Sequence, residues 1–228
     1  MMSAKDVERI RRWHEAAFAG SRAAAGSEGK TYEYLGLTLV IPPQVQPIFP
    51  VSHLLGEAVL AEVWAGDRVL DMGTGSGVNA VLAASRGAEV LAVDINPYAL
   101  DAARTNADRN GVADRIAIRH SDVFSDVDGR FDLVVFDPPF RWFTPRDHLE
   151  MASADPNYAG LTAFFRGARA HLTDSGRMLV FFGTSGDIAY LNMLIDDEGF
   201  ACQTLATLAG ERDGVPVQYV TYRLSIPR

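Results

Sequence analysis

The sequence predicts an α/β fold: a doubly wound, mostly parallel sheet of seven strands with a C-terminal antiparallel hairpin. Three observations predict it. From Gly66 onward, short runs rich in Val, Leu, Ile and Phe alternate with helical stretches. Those runs are apolar on consecutive residues rather than on every second one, the pattern of strands covered on both faces. The last two extended segments, around Gly210–Gly214, have no helix between them and read as a hairpin.

Each element has its own local reason. Ser3 to Asp6 reads as a capping box before a helix of about 14 residues ending near Gly20. A small-residue loop, Ala19 to Gly29, follows. Thr31–Leu35 and Leu37–Ile41 flank Gly36 as a short hairpin, and the proline-rich stretch Ile41–Pro50 leads to a helix that Ser52 caps, running to about Trp64. Five strands are expected at Arg68–Asp71, Glu89–Val93, Arg115–Arg119, Phe131–Phe136 and Arg177–Phe182. Helices are expected at Gly77–Arg86, Pro97–Asn110, Tyr158–Leu172 and Asp187–Glu198. Asn96-Pro97 supplies a cap and a first-turn proline, and Gly111 a stop.

Composition bounds the class. The 228 residues amount to one domain of about 150 residues plus an appendage, here an N-terminal extension (1–50) and a main domain (51–228). Hydrophobic residues at 48% and charged ones at 22% exclude wholesale disorder. The single cysteine, Cys202, excludes an intramolecular disulfide framework and a multi-cysteine zinc site, and its apolar surroundings point to a core position. No metal site is expected. The charged opening segment lacks a signal-peptide core and no apolar run approaches the ~18 residues of a membrane span, so a cytoplasmic location without membrane contact is expected. Residues 1–50 carry six basic and five acidic side chains, net +1; residues 51–228 carry fifteen and twenty-four, net −9. Such an acidic body opposes generic DNA binding.

Chemistry concentrates in four places. Val69-Leu-Asp-Met-Gly-Thr-Gly-Ser-Gly77 runs from a strand through a glycine-rich turn into a helix, so Gly73, Thr74, Gly75 and Gly77 offer close backbone approach and free N–H groups to a ligand. A dinucleotide G-x-G-x-x-G would need glycine where Val78 stands, and the Gly-Lys-Ser/Thr of a P-loop is absent. Asp71 before the turn repels pyrophosphate but suits a cationic amino group. Asp94, with Ile95 and Asn96 at the end of the next strand, is placed to accept from both ribose hydroxyls; a helix cap is its structural alternative, though Asn96 already fills that role. Asp122 and Val123, after the third strand, suit an adenine amino group and the face of the base. Finally Asp137-Pro-Pro-Phe140 follows an apolar strand. Two prolines fix the backbone there, so Asp137, the Pro138 carbonyl, Pro139 and the Phe140 ring together suit a planar NH2 group held by two acceptors against an aromatic plate.

These residues resemble class I S-adenosylmethionine-dependent methyltransferases that carry an [Asp/Asn]-Pro-Pro-[aromatic] motif. The resemblance covers about residues 40–225 and points to the HemK-like glutamine methyltransferases and the related "methyltransferase small" domains. Ile41-Pro-Pro-Gln-Val-Gln-Pro with Ser52-His-Leu-Leu55 resembles that branch's approach to its first helix. Gly160-Leu-Thr-Ala-Phe-Phe165 resembles its glycine-leucine-aromatic helix. The resemblance implies a Rossmann-like methyltransferase domain over 51–228 and S-adenosylmethionine as cofactor, bound through Asp71, Gly73, Thr74, Gly75, Gly77, Asp94, Ile95, Asn96, Asp122 and Val123. It implies catalysis at Asp137, Pro138, Pro139 and Phe140, by methyl transfer to an amide or amine nitrogen.

Two departures bear on the acceptor. HemK-like enzymes usually carry Asn at the position of Asp137; Asn donates to an amide oxygen, whereas ionised Asp only accepts. An amine without a neighbouring carbonyl therefore fits better than a glutamine amide. The branch often has a larger helical N-terminal domain, which fifty residues do not supply in full. Protein glutamine and small-molecule amines are the leading acceptors, RNA or DNA base amino groups the alternative. Structured RNA stays open as a partner through Arg9, Arg11, Arg12 and Trp13, which read more simply as a solvated helix face. Arg141, Trp142, Arg146 and His148 are expected at the substrate mouth. An NAD-dependent oxidoreductase of the short-chain type needs a Tyr-x-x-x-Lys pair, and no lysine follows Lys30. A non-catalytic nucleotide-binding module is the remaining alternative, opposed by the intact series Asp71, Asp94, Asp122 and Asp137.

Overall fold

The computed structural model describes residues 4–23 and 29–227. Ser3, the expected first cap, and residues 24–28 of the expected loop after the first helix lie outside the described residues. Helix α1 (Ala4–Ala23) continues past Gly20. Strands β1 (Lys30–Tyr34) and β2 (Leu37–Ile41) pair antiparallel. Leu35 and Gly36 between them both have positive φ, 47° and 83°, the twist that a two-residue hairpin turn requires.

Helix α2 (His53–Glu62) follows a short turn at Pro50–Ser52. Ser52 does not cap it as expected: its own backbone is already helical, and its hydroxyl accepts from the Phe49 N–H instead. The repeating part then unfolds as β3 (Arg68–Met72), α3 (Val78–Ser85), β4 (Glu89–Asp94), α4 (Pro97–Arg109), β5 (Ile116–His120) and β6 (Phe131–Phe136). Next come a short α5 (His148–Met151), α6 (Ala159–Ala168), β7 (Leu172–Gly183), α7 (Ile188–Asp197), β8 (Ala201–Arg212) and β9 (Val215–Ser225). Asn96 caps α4 and Asp187 caps α7, each accepting from a backbone N–H two or three residues on.

The large sheet runs β5-β4-β3-β6-β7-β9-β8. Its first five strands are parallel, and β9 returns antiparallel between β7 and the edge strand β8. Alternate residues face opposite layers. Val69, Leu133 and Leu179 pack with Leu39, Val59 and Val81 on one face; Leu70, Val134 and Met178 pack with Phe164, Phe165 and Leu191 on the other. Leu39 belongs to β2, so the N-terminal hairpin contributes to the same core as the main sheet.

Several expectations need correction. The helix expected over 158–172 ends at Ala168, and β7 begins at Leu172 rather than Arg177. Thr173-Asp-Ser-Gly176 has turn composition, yet it is absorbed as an irregularity between β6 and β7. Cys202 is exposed, because β8 is the sheet edge and has one neighbour only. Trp13 is not on a solvated face: it is buried with Ile10 against Phe143 and Ala154, so α1 is docked through its apolar side.

Candidate active site

Sheet order reverses at β3, whose neighbours β4 and β6 lead in opposite directions. In doubly wound sheets a crevice opens at the carboxyl ends of the strands on either side of such a point. Here that crevice is a cavity of about 1040 Å³. It is walled by the loops after β3, β4, β5 and β6, by the proline-rich segment before α2, and by α1.

The turn after β3 forms one wall. Gly73, Gly75 and Gly77 all have positive φ. Gly77 also has no room for a side chain: a Cβ would come within 2.9 Å of the Ala103 Cα on α4. Asp71 anchors this turn from beneath. It is 1% exposed, and one of its oxygens accepts from the Thr74 hydroxyl at 2.6 Å and the Ala80 N–H at 3.1 Å. Burial pushes its pKa up to about 7, with Asp94 adding to the rise against those two hydrogen bonds. Asp71 and Gly77 stand behind the cavity wall rather than in it; Gly73, Thr74, Gly75, Asp94, Ile95, Asn96, Asp122 and Val123 line it.

At the end of β4, one Asp94 oxygen accepts from the Gly75 N–H at 2.9 Å and the other from the Asn96 N–H at 2.8 Å. Each oxygen keeps a further lone pair for a ligand. Burial raises this carboxyl as well, opposed by those N–H groups and by His120. Ile95 is 39% exposed although Asn96 beside it is buried, an apolar plate on the cavity wall. Val123 holds φ 50°, a conformation that costs a β-branched residue on the order of 1–3 kcal/mol; the Ser121 hydroxyl, donating to the Val123 carbonyl at 2.8 Å, braces it.

The loop after β6 carries Asp137, Pro138, Pro139 and Phe140 along the opposite wall. Asp137 is open to the cavity yet enclosed by protein around it. That enclosure, with Asp71 nearby, pushes its pKa up to about 7. No hydrogen bond to its carboxyl group occurs among the described residues. The Phe140 ring leans on Phe182, Phe181 and Tyr219, at 5.1, 5.6 and 6.5 Å between centroids. The Phe140 carbonyl accepts from the Tyr158 hydroxyl at 2.7 Å, which in turn accepts from the Asp187 N–H. Tyr158 itself sits at φ 56°, so a strained residue anchors the motif's far end.

Sequence reasoning foresaw part of the remaining wall. Arg141 and His148 line the cavity. Trp142 packs on Phe143 and Tyr158, and Arg146 is bound to Glu150 and Glu15. Tyr34, Arg212 and Tyr219 also line the cavity and were not foreseen. They come from β1 and the terminal hairpin, and only the tertiary fold brings them there.

The residues present fit S-adenosylmethionine. Acids surround the region where a cation would lie, Asp94 offers lone pairs to ribose, and Ile95 with Val123 offers apolar faces to a base. The fold, with this acid-lined crevice at its switch point, defines a class I S-adenosylmethionine-dependent methyltransferase, and S-adenosylmethionine is its cofactor. Within that class the chain belongs to the methyltransferase small domain family, whose pattern matches residues 50–188. It is 38% identical over 151 residues to the release factor glutamine methyltransferase of Cereibacter sphaeroides, covering 60% of this chain and 53% of that protein. It is 38% identical over 116 residues to the ribosomal RNA small subunit methyltransferase C of Chromohalobacter salexigens, covering 51% and 31%. The ribosomal protein L11 methylase of Lactobacillus delbrueckii superposes with a TM-score of 0.61 at 22% identity, over 82% of this chain and 84% of that one. Methanocaldococcus jannaschii Trm5 in complex with adenosine superposes with a TM-score of 0.64 at 16% identity, over 88% and 57%. The chain spans about half the length of the release factor methyltransferases it matches. Among the described residues no helix is long and apolar enough to cross a membrane.

Proposed function

We propose that this chain is an N-methyltransferase acting on an amine or amide nitrogen held by Asp137, Pro138, Pro139 and Phe140. The observation that carries the reading is Asp137: a carboxyl group facing the cavity, without a hydrogen-bond donor among the described residues, beside a backbone fixed by two prolines. Bound in the cavity, S-adenosylmethionine supplies an electrophilic methyl group. Asp94, Ile95, Asn96, Asp122 and Val123 hold its nucleoside, while Gly73, Thr74 and Gly75 present backbone to the rest. Asp71 and Gly77 shape that turn from behind.

Asp137 and the Pro138 carbonyl accept the two hydrogens of the target NH2 group and turn its lone pair toward the methyl carbon. The nitrogen would gain the new bond to carbon as the sulfonium–methyl bond breaks, its electron pair staying on sulfur to leave S-adenosylhomocysteine, and the nitrogen's surplus proton would pass to Asp137. A carboxylate with a pKa of about 7 is matched to that task at neutral pH. Phe140, fixed through Tyr158, presents its ring to the acceptor. Positioning and charge complementarity supply most of the rate.

In the ionised form that takes up the proton, Asp137 offers no donor to an amide oxygen, which favours an amine without an adjacent carbonyl over a glutamine side chain. The release factor methyltransferases among its relatives keep a protein acceptor in view, and the ribosomal RNA methyltransferase an RNA one. The test is incubation with methyl-labelled cofactor and fractionated cell extract, with Asp137→Ala as the control. Label is expected in a small-molecule fraction and absent with the variant. Tight NAD binding without any response to S-adenosylmethionine in calorimetry would overturn the reading.

A further inference from the structure

The acidic cavity has one basic corner. Arg141, the residue after Phe140, and Arg212, the last of β8, both line it beside Tyr219. Some other arginines that pack against the sheet find carboxylates: Arg177 meets Asp67 and Glu62, and Arg223 meets Glu62. Arg141 and Arg212 do not, among the described residues. Arg141 Nη1 reaches only His14 Nδ1 at 3.1 Å, and its Nε is buried without a partner. Arg212 donates a long 3.5 Å bond to the Trp13 carbonyl and stacks 4.9 Å over that indole ring. Burial and then the proximity of Arg212 push Arg141 down to about 10. Two guanidinium groups are thus held near each other and partly out of water, with no counter-ion among the described residues. That arrangement is costly unless an anion completes it.

The acceptor end is also roofed. Ala17 and Phe18 of α1 face into the cavity, and the Trp13 indole N–H donates to Asp213 at the β8–β9 turn at 2.6 Å. A cavity of about 1040 Å³ is at the upper end for one ligand and has room for a cofactor and a second small molecule.

Resting on the N-methyltransferase reading, we propose that the methyl acceptor is a small anionic amine whose carboxylate or phosphate is bound by Arg141 and Arg212. The forked guanidinium groups fix the anion, and the amine then reaches Asp137 from the same side of the cavity. Tyr219 adds a hydroxyl to that corner.

The test uses the protein saturated with S-adenosylhomocysteine, titrated by calorimetry with inorganic phosphate and, separately, with acetate. Saturable binding of at least one anion is expected; which one binds tells a phosphorylated acceptor from a carboxylic one. Arg212→Gln should weaken it about tenfold or more, and Arg141→Gln likewise, with S-adenosylhomocysteine affinity unchanged. Arg212→Lys should recover part of the loss. No saturable anion binding, or binding indifferent to whichever variant folds as judged by circular dichroism, would overturn the proposal. So would a fall in S-adenosylhomocysteine affinity in Arg212→Gln, which would assign the arginine to the cofactor's own carboxylate. Label entering RNA or protein in place of small molecules also overturns it. Should S-adenosylhomocysteine not bind at all, the methyltransferase reading fails, and the same anion titrations on the protein alone still decide the arginine pair.

Discussion

Asp71 and Asp137 are both raised to about 7, chiefly by burial, and each also feels another acid, Asp94 in one case and Asp71 in the other. In the unfolded chain such carboxyls titrate at about 3.9. Because the folded values are the higher ones, each group contributes stability that is fully present below about pH 4 and lost as pH rises through about 7. The melting temperature attributable to these groups should therefore fall between about pH 4 and pH 7. Asp71→Asn, which keeps an oxygen for Thr74 and Ala80, should flatten that fall in a thermal-denaturation series; an unchanged slope would show that Asp71 is not the source. Asp137 separates chemistry from binding. Asp137→Ala should abolish turnover, mainly through kcat, while calorimetric cofactor affinity barely moves. Asp137→Asn is expected to lose activity too, because its added donor finds no partner on an amine; retained or increased activity would point to an amide acceptor. Both acids were legible in the sequence, since Asp-x-Gly-x-Gly-x-Gly and Asp-Pro-Pro-Phe follow apolar strands. Arg212 was not. It lies 75 positions after Asp137 in a hairpin whose return to the cavity leaves no local trace.

Most strands and helices announced themselves through apolar runs, caps and glycine stops, and the structure moves their ends by a few residues. The misread stretches have physical reasons. Turn-forming Thr173-Asp-Ser-Gly176 sits inside β7 because Gly176 passes so close to β6 that a Cβ would meet the Phe131 carbonyl at 2.8 Å. Edge strand β8 exposes Cys202 despite apolar neighbours. How β2 holds α4 was invisible beforehand. The fully buried Asn106 of α4 accepts from the Val40 N–H at 2.8 Å and donates to the Val40 and Ser76 carbonyls at 3.0 and 2.8 Å. It joins the N-terminal hairpin to the glycine turn. Asn106→Ala leaves all three backbone groups unpaired, at about 1–3 kcal/mol for each buried group before relaxation. Denaturant unfolding should show a loss of several kcal/mol, and cofactor affinity should fall with it as the turn loosens. A loss under about 1 kcal/mol would mean that water replaces the side chain there.

The charge distribution acts on the molecule as one object. With net −9 over residues 51–228, binding to random-sequence duplex DNA should be weak and strongly salt-dependent in a fluorescence-anisotropy titration. Submicromolar, salt-insensitive binding would contradict that expectation. The fold class followed from the alternating pattern. The placement of residues 29–50 did not, because they read as an appendage while Leu37, Leu39 and Ile41 are in fact core residues. The bond between Trp13 and Asp213 joins residues 200 positions apart. In the order of synthesis α1 precedes the β8–β9 hairpin, so the helix can meet Phe143 and Ala154 early but lacks its Asp213 anchor until that hairpin has been made. The roof over the cavity is therefore fully secured only when β8 and β9 have joined the sheet. A contact that distant gains little from local chain order. Closure of the cavity roof is thereby made conditional on the β8–β9 turn.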